Sequence, residues 1–271
     1  MNTQQKIWKG TGVFFRSLFP LCLYLVIPGA LSLLGKGLRG FEGSTEAFLL
    51  ESGNFYQILG TAVLFGIFRK RAKKRGTTIE AETTIVTDGF DRNLALLYLG
   101  LGFFSALSVS ALLTLLPLPG VLRESYEEAS GVIFQRTDLF LAAVNLLFLA
   151  PLVEEIIFRG YMLSGLLSFF GEKEAVILCS AVFALCHVEL LWMVYAFFMG
   201  VLLCRTAIRK DNILYGIVLH GGFNLFSVVT LVLSGSAFFA NRFLVACYGL
   251  IGICSVMLIR RKLLSREEWY L

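Results

Sequence analysis

The sequence predicts an all-α fold, a polytopic membrane protein of about eight transmembrane helices with both termini in the cytosol. Three observations carry this. Of 271 residues, 57% are hydrophobic and only 16% charged, against about a quarter charged in ordinary soluble chains. Mean hydropathy is +0.76, and the apolar excess falls in blocks of about 20 residues, the length that crosses a bilayer. The basic residues, finally, gather in alternate loops.

The blocks fall at about 13–35, 47–68, 94–117, 139–163, 175–190, 191–208, 212–234 and 242–259. The second is interrupted by Glu51, and the fifth and sixth are short. A seven-span version that merges or drops one of these fits the same composition. Lys6, Lys9 and Arg16 precede the first block, and "RKRAKKR" (Arg69–Arg75) follows the second. Arg209 and Lys210 follow the sixth, and Arg260, Arg261 and Lys262 the last. With eight spans all of these lie on one face, while the opposite loops are neutral or acidic, as in "RESYEE" (123–128). The positive-inside rule places the basic face in the cytosol. The whole chain, 1–271, reads as one bundle without repeats or linkers, and its first apolar run leads on into more membrane without a small-residue cleavage site.

The net charge of +5 does not point to nucleic acid, because the Arg69–Arg75 run has no interleaved aromatic residues and no reading motif accompanies it. Its position beside an apolar block suits contact with anionic lipid headgroups. The six cysteines contain no CxxC pair and sit in or beside apolar runs, as small buried hydrophobes do.

The fourth block holds "PLVEEIIFRGYML" (151–163), with Glu154, Glu155 and Arg159 among apolar residues. Three central charges cost roughly 8–10 kcal/mol on an insertion scale, and the block's Leu, Ile, Phe and Val return roughly 4–8. The helix therefore needs partners, and such an expense usually marks function. Glu155 and Arg159 stand at i, i+4 and can form an ion pair. Glu154 is rotated by about 100° and has Phe158 at its own i+4 position. It is the carboxylate left to act as a base.

Both histidines of the chain, His187 in "FALCHVELLW" and His220 in "LYGIVLHGGFNLF", lie within apolar blocks. Asn224 follows His220 at i+4, and Gly221 and Gly222 allow close approach of a neighbouring helix or a substrate backbone. At about 1.5 Å per residue, Glu154, His187 and His220 lie roughly 15–20, 18 and 12 Å from the cytosolic ends of their blocks, so three helices bring polar groups to similar depth. No GxSxG, HExxH or GxGD motif is present. A carboxylate with one histidine can deprotonate water, and a second histidine with an amide can stabilise an oxyanion. This is chemistry for peptide hydrolysis without a covalent intermediate.

"EEIIFR", "FALCH" and "HGGFN", in this order on successive blocks, resemble the three motifs of the CAAX-protease and bacteriocin-processing family, also called the Abi family. The stretch "FFMGVLLCRTAIRKDNIL" (197–214) is similar to the family's connecting segment, and the resemblance covers about 139–232. It implies a glutamate-dependent intramembrane endopeptidase in an eight-helix bundle, needing no cofactor or metal, in the cell membrane with its cavity open to the cytosol. Glu154 and His187 would activate water, and His220 and Asn224 would stabilise the oxyanion. Glu155, Arg159 and Phe183 would support them. Its partner would be a peptide or a membrane-anchored protein substrate. Some members carry an Asn four residues after the second-motif histidine; Leu191 stands there in this chain.

Two other functions use the same residues. One is a non-catalytic membrane immunity or regulatory factor that binds a partner protein. The other is a metal-dependent protease or ion pathway built on Glu154, His187 and His220, since two histidines and a carboxylate can bind zinc.

Overall fold

The computed structural model describes residues 3–38, 45–122, 124–125, 139–187, 189–233 and 241–265. All regular structure among them is helical. In chain order the helices are α1 (Thr3–Leu38), α2 (Thr45–Lys74), a short α3 (Ile79–Thr83), α4 (Arg92–Leu115), α5 (Leu139–Leu167), α6 (Glu172–Leu185), α7 (Leu190–Lys210), α8 (Ile213–Leu233) and α9 (Arg242–Leu264). The acidic loop at 123–128 lies outside the described residues apart from Glu124 and Ser125, as do the side chains of Lys6, Lys9, Arg16 and Glu51.

Six described helices are long and apolar enough to cross a membrane: α1 from Leu18, α4, α5, α7, α8 as far as Thr230, and α9. The chain is thus an integral membrane protein by its helices. Helices also stand at the expected second and fifth blocks, but α2 ends in the basic run and α6 has 14 residues, about 21 Å of rise.

Local chemistry fixes the helix ends. Asp91 caps α4 by accepting from the Asn93 and Leu94 N–H groups, and Glu189 caps α7 by accepting from Trp192 N–H at 2.8 Å. Asn241 caps α9 in the same way. Asp211 ends α7 in the left-handed region, φ 44°, where Asn and Asp are the usual non-glycine residues.

α5 is the centre. Ile156, Ile157, Phe158, Met162, Leu163 and Leu166 are all buried, as in a helix surrounded on every side. α9, by contrast, exposes Leu250, Ile251, Met257 and Leu258, an outer apolar surface of the kind that faces acyl chains. Between apolar lipid and apolar helices, close backbone packing replaces the hydrophobic effect as the glue. α4 and α8 use glycine for it twice. A Cβ on Gly102 would stand 2.0 Å from the Leu219 carbonyl oxygen, and one on Gly222 2.1 Å from that of Leu99.

The linker between α2 and α4 closes one end of the bundle. Arg75 pairs with Glu82 at 3.1 Å, and Glu82 accepts from the Tyr161 hydroxyl at 3.1 Å. Thr83 of α3 packs onto Gly160, where a Cβ would lie 2.6 Å from the threonine Cβ. Val86 and Asn212 exchange two hydrogen bonds, the Tyr215 hydroxyl accepts from the Asp91 N–H at 3.0 Å, and Phe90 stacks on the Tyr215 ring at 4.9 Å.

Gly222→Ala is expected to cost about 1–3 kcal/mol, the usual range for forcing atoms into a packed interface, with a lower melting temperature in detergent. Gly66→Ala, inside α2 where nothing lies within 4 Å of the added Cβ, is expected to keep or slightly raise the melting temperature; equal melting of the two variants would contradict the α4–α8 contact.

Candidate active site

The site starts from a proline. Pro151 has no N–H to return to the preceding turn of α5, and the chain there winds as a π turn over Asn145–Leu149, with the Ala150 N–H bonded to the Asn145 carbonyl. The Leu146 carbonyl takes its hydrogen bond from another helix instead: Asn224 Nδ2 donates to it at 2.9 Å. This bond ties the third motif to the helix of the first, and leaves Asn224 one further N–H and its carbonyl oxygen. A second π turn covers Ile156–Leu163. Such turns recur at functional sites.

Glu155 and Arg159 are both completely buried, and Arg159 Nη1 donates to Glu155 Oε1 at 2.8 Å. Arg159 Nη2 reaches the Gly200 carbonyl of α7 at 3.3 Å, and the guanidinium lies over the Phe183 ring of α6 at 4.5 Å. The spacing argument predicted the ion pair. It did not predict the third member, His220, whose Nδ1 lies 3.0 Å from the same Glu155 oxygen. A carboxylate paired to arginine only accepts, so His220 Nδ1–H donates. Among the described residues Glu155 Oε2 has no hydrogen-bond partner, and it lies close to Gly216 of α8, where a Cβ would stand 3.1 Å away.

Glu154 faces differently. Its side chain keeps 18% of its exposure, its Oε1 accepts from the Tyr24 hydroxyl of α1 at 3.1 Å, and its Oε2 lies 3.8 Å from His220 Nε2. That last distance is too long for a direct hydrogen bond and of the size a shared water spans. Tyr24 escaped the sequence reading, although it is the only tyrosine in the first apolar block.

His187 stands just past the end of α6, with Nδ1 2.9 Å from the Phe183 carbonyl. A carbonyl can only accept, so Nδ1–H donates and Nε2 is the basic nitrogen of the neutral ring. The Phe183 ring meets those of His187 at 4.8 Å, His220 at 5.9 Å and Phe158 at 5.0 Å. One aromatic side chain thus spaces both imidazoles and floors the arginine.

Glu154, His187, His220, Asn224 and Phe183 line a common cavity of about 280 Å³. Glu155 and Arg159 lie behind it. Its remaining wall is largely apolar and aromatic, with Trp192, Tyr195, Phe223 and Phe226, as in sites that hold a ligand by shape and a few polar groups. Leu191 is buried and is not part of the wall. Among the described residues no three His, Cys, Asp or Glu side chains are grouped to hold a metal ion.

The cavity extends from Glu154 and His220, near the middle of α5 and α8, to Leu113, Leu146, Trp192 and Thr230 toward the ends of α4, α5, α7 and α8 away from the α2–α4 linker. The depth argument set Glu154, His187 and His220 at similar heights, and all three line the cavity.

Fold and site together define an integral membrane protein with an acid–imidazole–amide cavity inside a helical bundle. Residues 136–226, which include all three motifs, match the family model Rce1-like, type II CAAX prenyl endopeptidase. The match covers a third of the chain and makes that stretch, with its three motifs, similar to the CAAX protease family. Comparison with curated proteins and with solved structures gave no match.

Arg159→Met is expected to lower stability by about 3–5 kcal/mol, because it strands a buried carboxylate, and to reduce the yield of monodisperse protein in detergent. Arg159→Lys is expected to recover only part of it, since a point charge cannot bond Glu155 and Gly200 while lying flat on Phe183. Wild-type yield and melting for both would contradict the pairing.

Proposed function

We propose that this chain is an intramembrane endopeptidase that hydrolyses peptide bonds of peptide or membrane-anchored substrates with a water activated by Glu154. The observation that carries the reading is the division of labour between adjacent glutamates. Glu155 is fully buried and held by Arg159 and His220, whereas Glu154 keeps access to the cavity and, among the described residues, has no arginine or lysine bonded to it.

The chemistry follows from these positions. A water between Glu154, the basic Nε2 of His187 and the scissile carbonyl loses a proton to Glu154 as its oxygen attacks the carbonyl carbon. The carbonyl oxygen becomes an oxyanion and takes hydrogen bonds from the second N–H of Asn224 and, when both its nitrogens carry protons, from His220 Nε2–H. The intermediate collapses, the C–N bond breaks, and the amine leaves with the proton that Glu154 had taken. Tyr24 keeps the Glu154 carboxylate turned toward the cavity. Glu155, oriented by Arg159, holds His220 by its other nitrogen, in the way a buried carboxylate orients a catalytic imidazole. No step calls for a cofactor.

The basic run has a separate task. Arg69, Lys70, Arg71, Lys73, Lys74 and Arg75 are all exposed at the end of α2 and its following turn, which suits contact with anionic headgroups.

Glu154→Gln and His187→Ala are expected to abolish cleavage of membrane-associated peptides, read by mass spectrometry of cells expressing each form, with inserted protein at wild-type amounts. If both variants still restore the phenotype of a null strain, the chain acts by binding a partner, as an immunity or regulatory factor would. Tyr24→Phe removes one hydrogen bond to a charged group and is expected to lower kcat about tenfold with KM and melting unchanged; a wild-type kcat would remove Tyr24 from the reaction.

A further inference from the structure

We propose that Asn54 of α2 and Asn145 of α5 are positioning residues for the Asn224 amide: together they hold the turn at Asn145–Leu149 wide, and the wide turn offers the carbonyl on which Asn224 is aimed. This rests on the reading of Asn224 as an oxyanion donor, and it extends the site to a helix outside the cavity wall.

The starting point is a missing donor. Over Asn145–Leu149 the chain winds with each carbonyl taking the N–H five residues on, as Asn145 does from Ala150. The next carbonyl, that of Leu146, would look to residue 151 in this pattern, and residue 151 is a proline without an N–H. Regular winding would give the Leu146 carbonyl the N–H of Ala150 instead. The width of the turn therefore decides whether this oxygen is committed within α5 or left to another helix. It is left to α8, and accepts from Asn224 Nδ2 at 2.9 Å.

The proline does not select the wide form by itself. It fits regular winding too, where the carbonyl it deprives is that of Leu147, four residues back. Asn145 supplies a contact that depends on the width: its Nδ2 donates to Asn54 Oδ1 at 3.2 Å, across to α2. Closing the turn with no residue removed would rotate the part of α5 before it by about 100° against the part after it, and would carry Asn145 off Asn54. The other half of the side chain argues the same way. Asn145 Oδ1 is buried and has no hydrogen-bond partner among the described residues. An amide satisfied on one side only is costly in apolar surroundings. Filling space does not account for it; a directed bond to α2 does.

α8 meets the turn through two residues of one face. Gly221 lies against the Leu147 carbonyl, where a Cβ would stand 3.1 Å from the oxygen, and Asn224, three residues on, takes Leu146. The turn is thus gripped by α2 through Asn145 and by α8 through Gly221 and Asn224. The Asn224 amide carries two N–H groups in one plane, so anchoring one on Leu146 aims the other. Asn224 lines the cavity with Leu146, His220 and Glu154, whereas Asn54 and Asn145 do not. What Asn54 does for the reaction therefore passes through α5.

The test replaces both asparagines by leucine, of similar size. Removing both partners of a bond strands neither, so Asn54→Leu with Asn145→Leu is expected to melt at or above the wild-type temperature. Asn54→Ala alone is the second variant. The chain has seven asparagines, and in protein isotopically labelled at asparagine the nuclear magnetic resonance signal lost in Asn224→Asp identifies the Asn224 amide. In both variants its protons are expected to exchange with water several-fold faster than in the wild type. On peptides whose cleavage in cells is lost with Glu154→Gln, kcat is expected to fall about tenfold with KM unchanged, less than the roughly hundredfold or greater cost of losing an oxyanion donor outright. It is expected to fall no further where Asn224→Ala is already present. Wild-type exchange at Asn224 in both variants overturns the proposal, as does a wild-type kcat or a loss equally large beside Asn224→Ala. Failure of the hydrolytic reading is seen separately, as peptide cleavage that survives Glu154→Gln, and the exchange measurement judges the tether in that case too.

Discussion

A guanidinium with no exposure to solvent governs this bundle. Taking an arginine and a glutamate out of water costs several kcal/mol per ion even after relaxation, and only close geometry with further hydrogen bonds repays it. Arg159 obtains that geometry from three helices: Glu155 on its own, the Gly200 carbonyl of α7, and the Phe183 ring of α6. Each of these partners is then committed. Gly200 stays small because a Cβ would meet Ser180 at 3.0 Å. Phe183 must lie flat beneath the charge, which sets the start of the turn that carries His187. Glu155, held by the arginine, becomes the anchor for His220. The cost of one buried charge is thus turned into the relative placement of α5, α6, α7 and α8.

The same constraint separates two adjacent carboxylates. Glu155 is consumed by structure, and Glu154, one residue earlier, points into open space with a tyrosine hydroxyl and an imidazole as neighbours. Neither would have this character alone. Without Glu155 the arginine would compete for Glu154, and the carboxylate facing the cavity would be the one paired to a cation.

Much of this was legible in the residues. Apolar blocks with costly charges in them announce helices that must bundle, and i, i+4 spacing announces an ion pair. Other features had no local signal. The hydrogen bond from His220 to Glu155 depends on the crossing of α5 and α8, which the glycines at 102, 216 and 222 permit but do not specify. Tyr24 lies 130 residues from its partner, in a helix whose composition is that of any membrane span. α3 is five residues long, too short for any periodicity, and its role comes from Thr83 meeting Gly160.

The π turn ahead of Pro151 has a consequence for how this helix can change length. Such a turn holds one residue more than regular winding needs, so a codon could be lost between Val144 and Pro151 and α5 would still form, with better internal bonding than before. Because the wide turn already absorbs that residue, the parts of the helix before and after the deletion would keep nearly the same faces. Regular winding would instead pair the Leu146 carbonyl within its own helix, and the third motif would lose its tether from Asn224 while every motif residue remained in place. A homologue shortened by one residue there would look intact in its motifs and be rewired underneath.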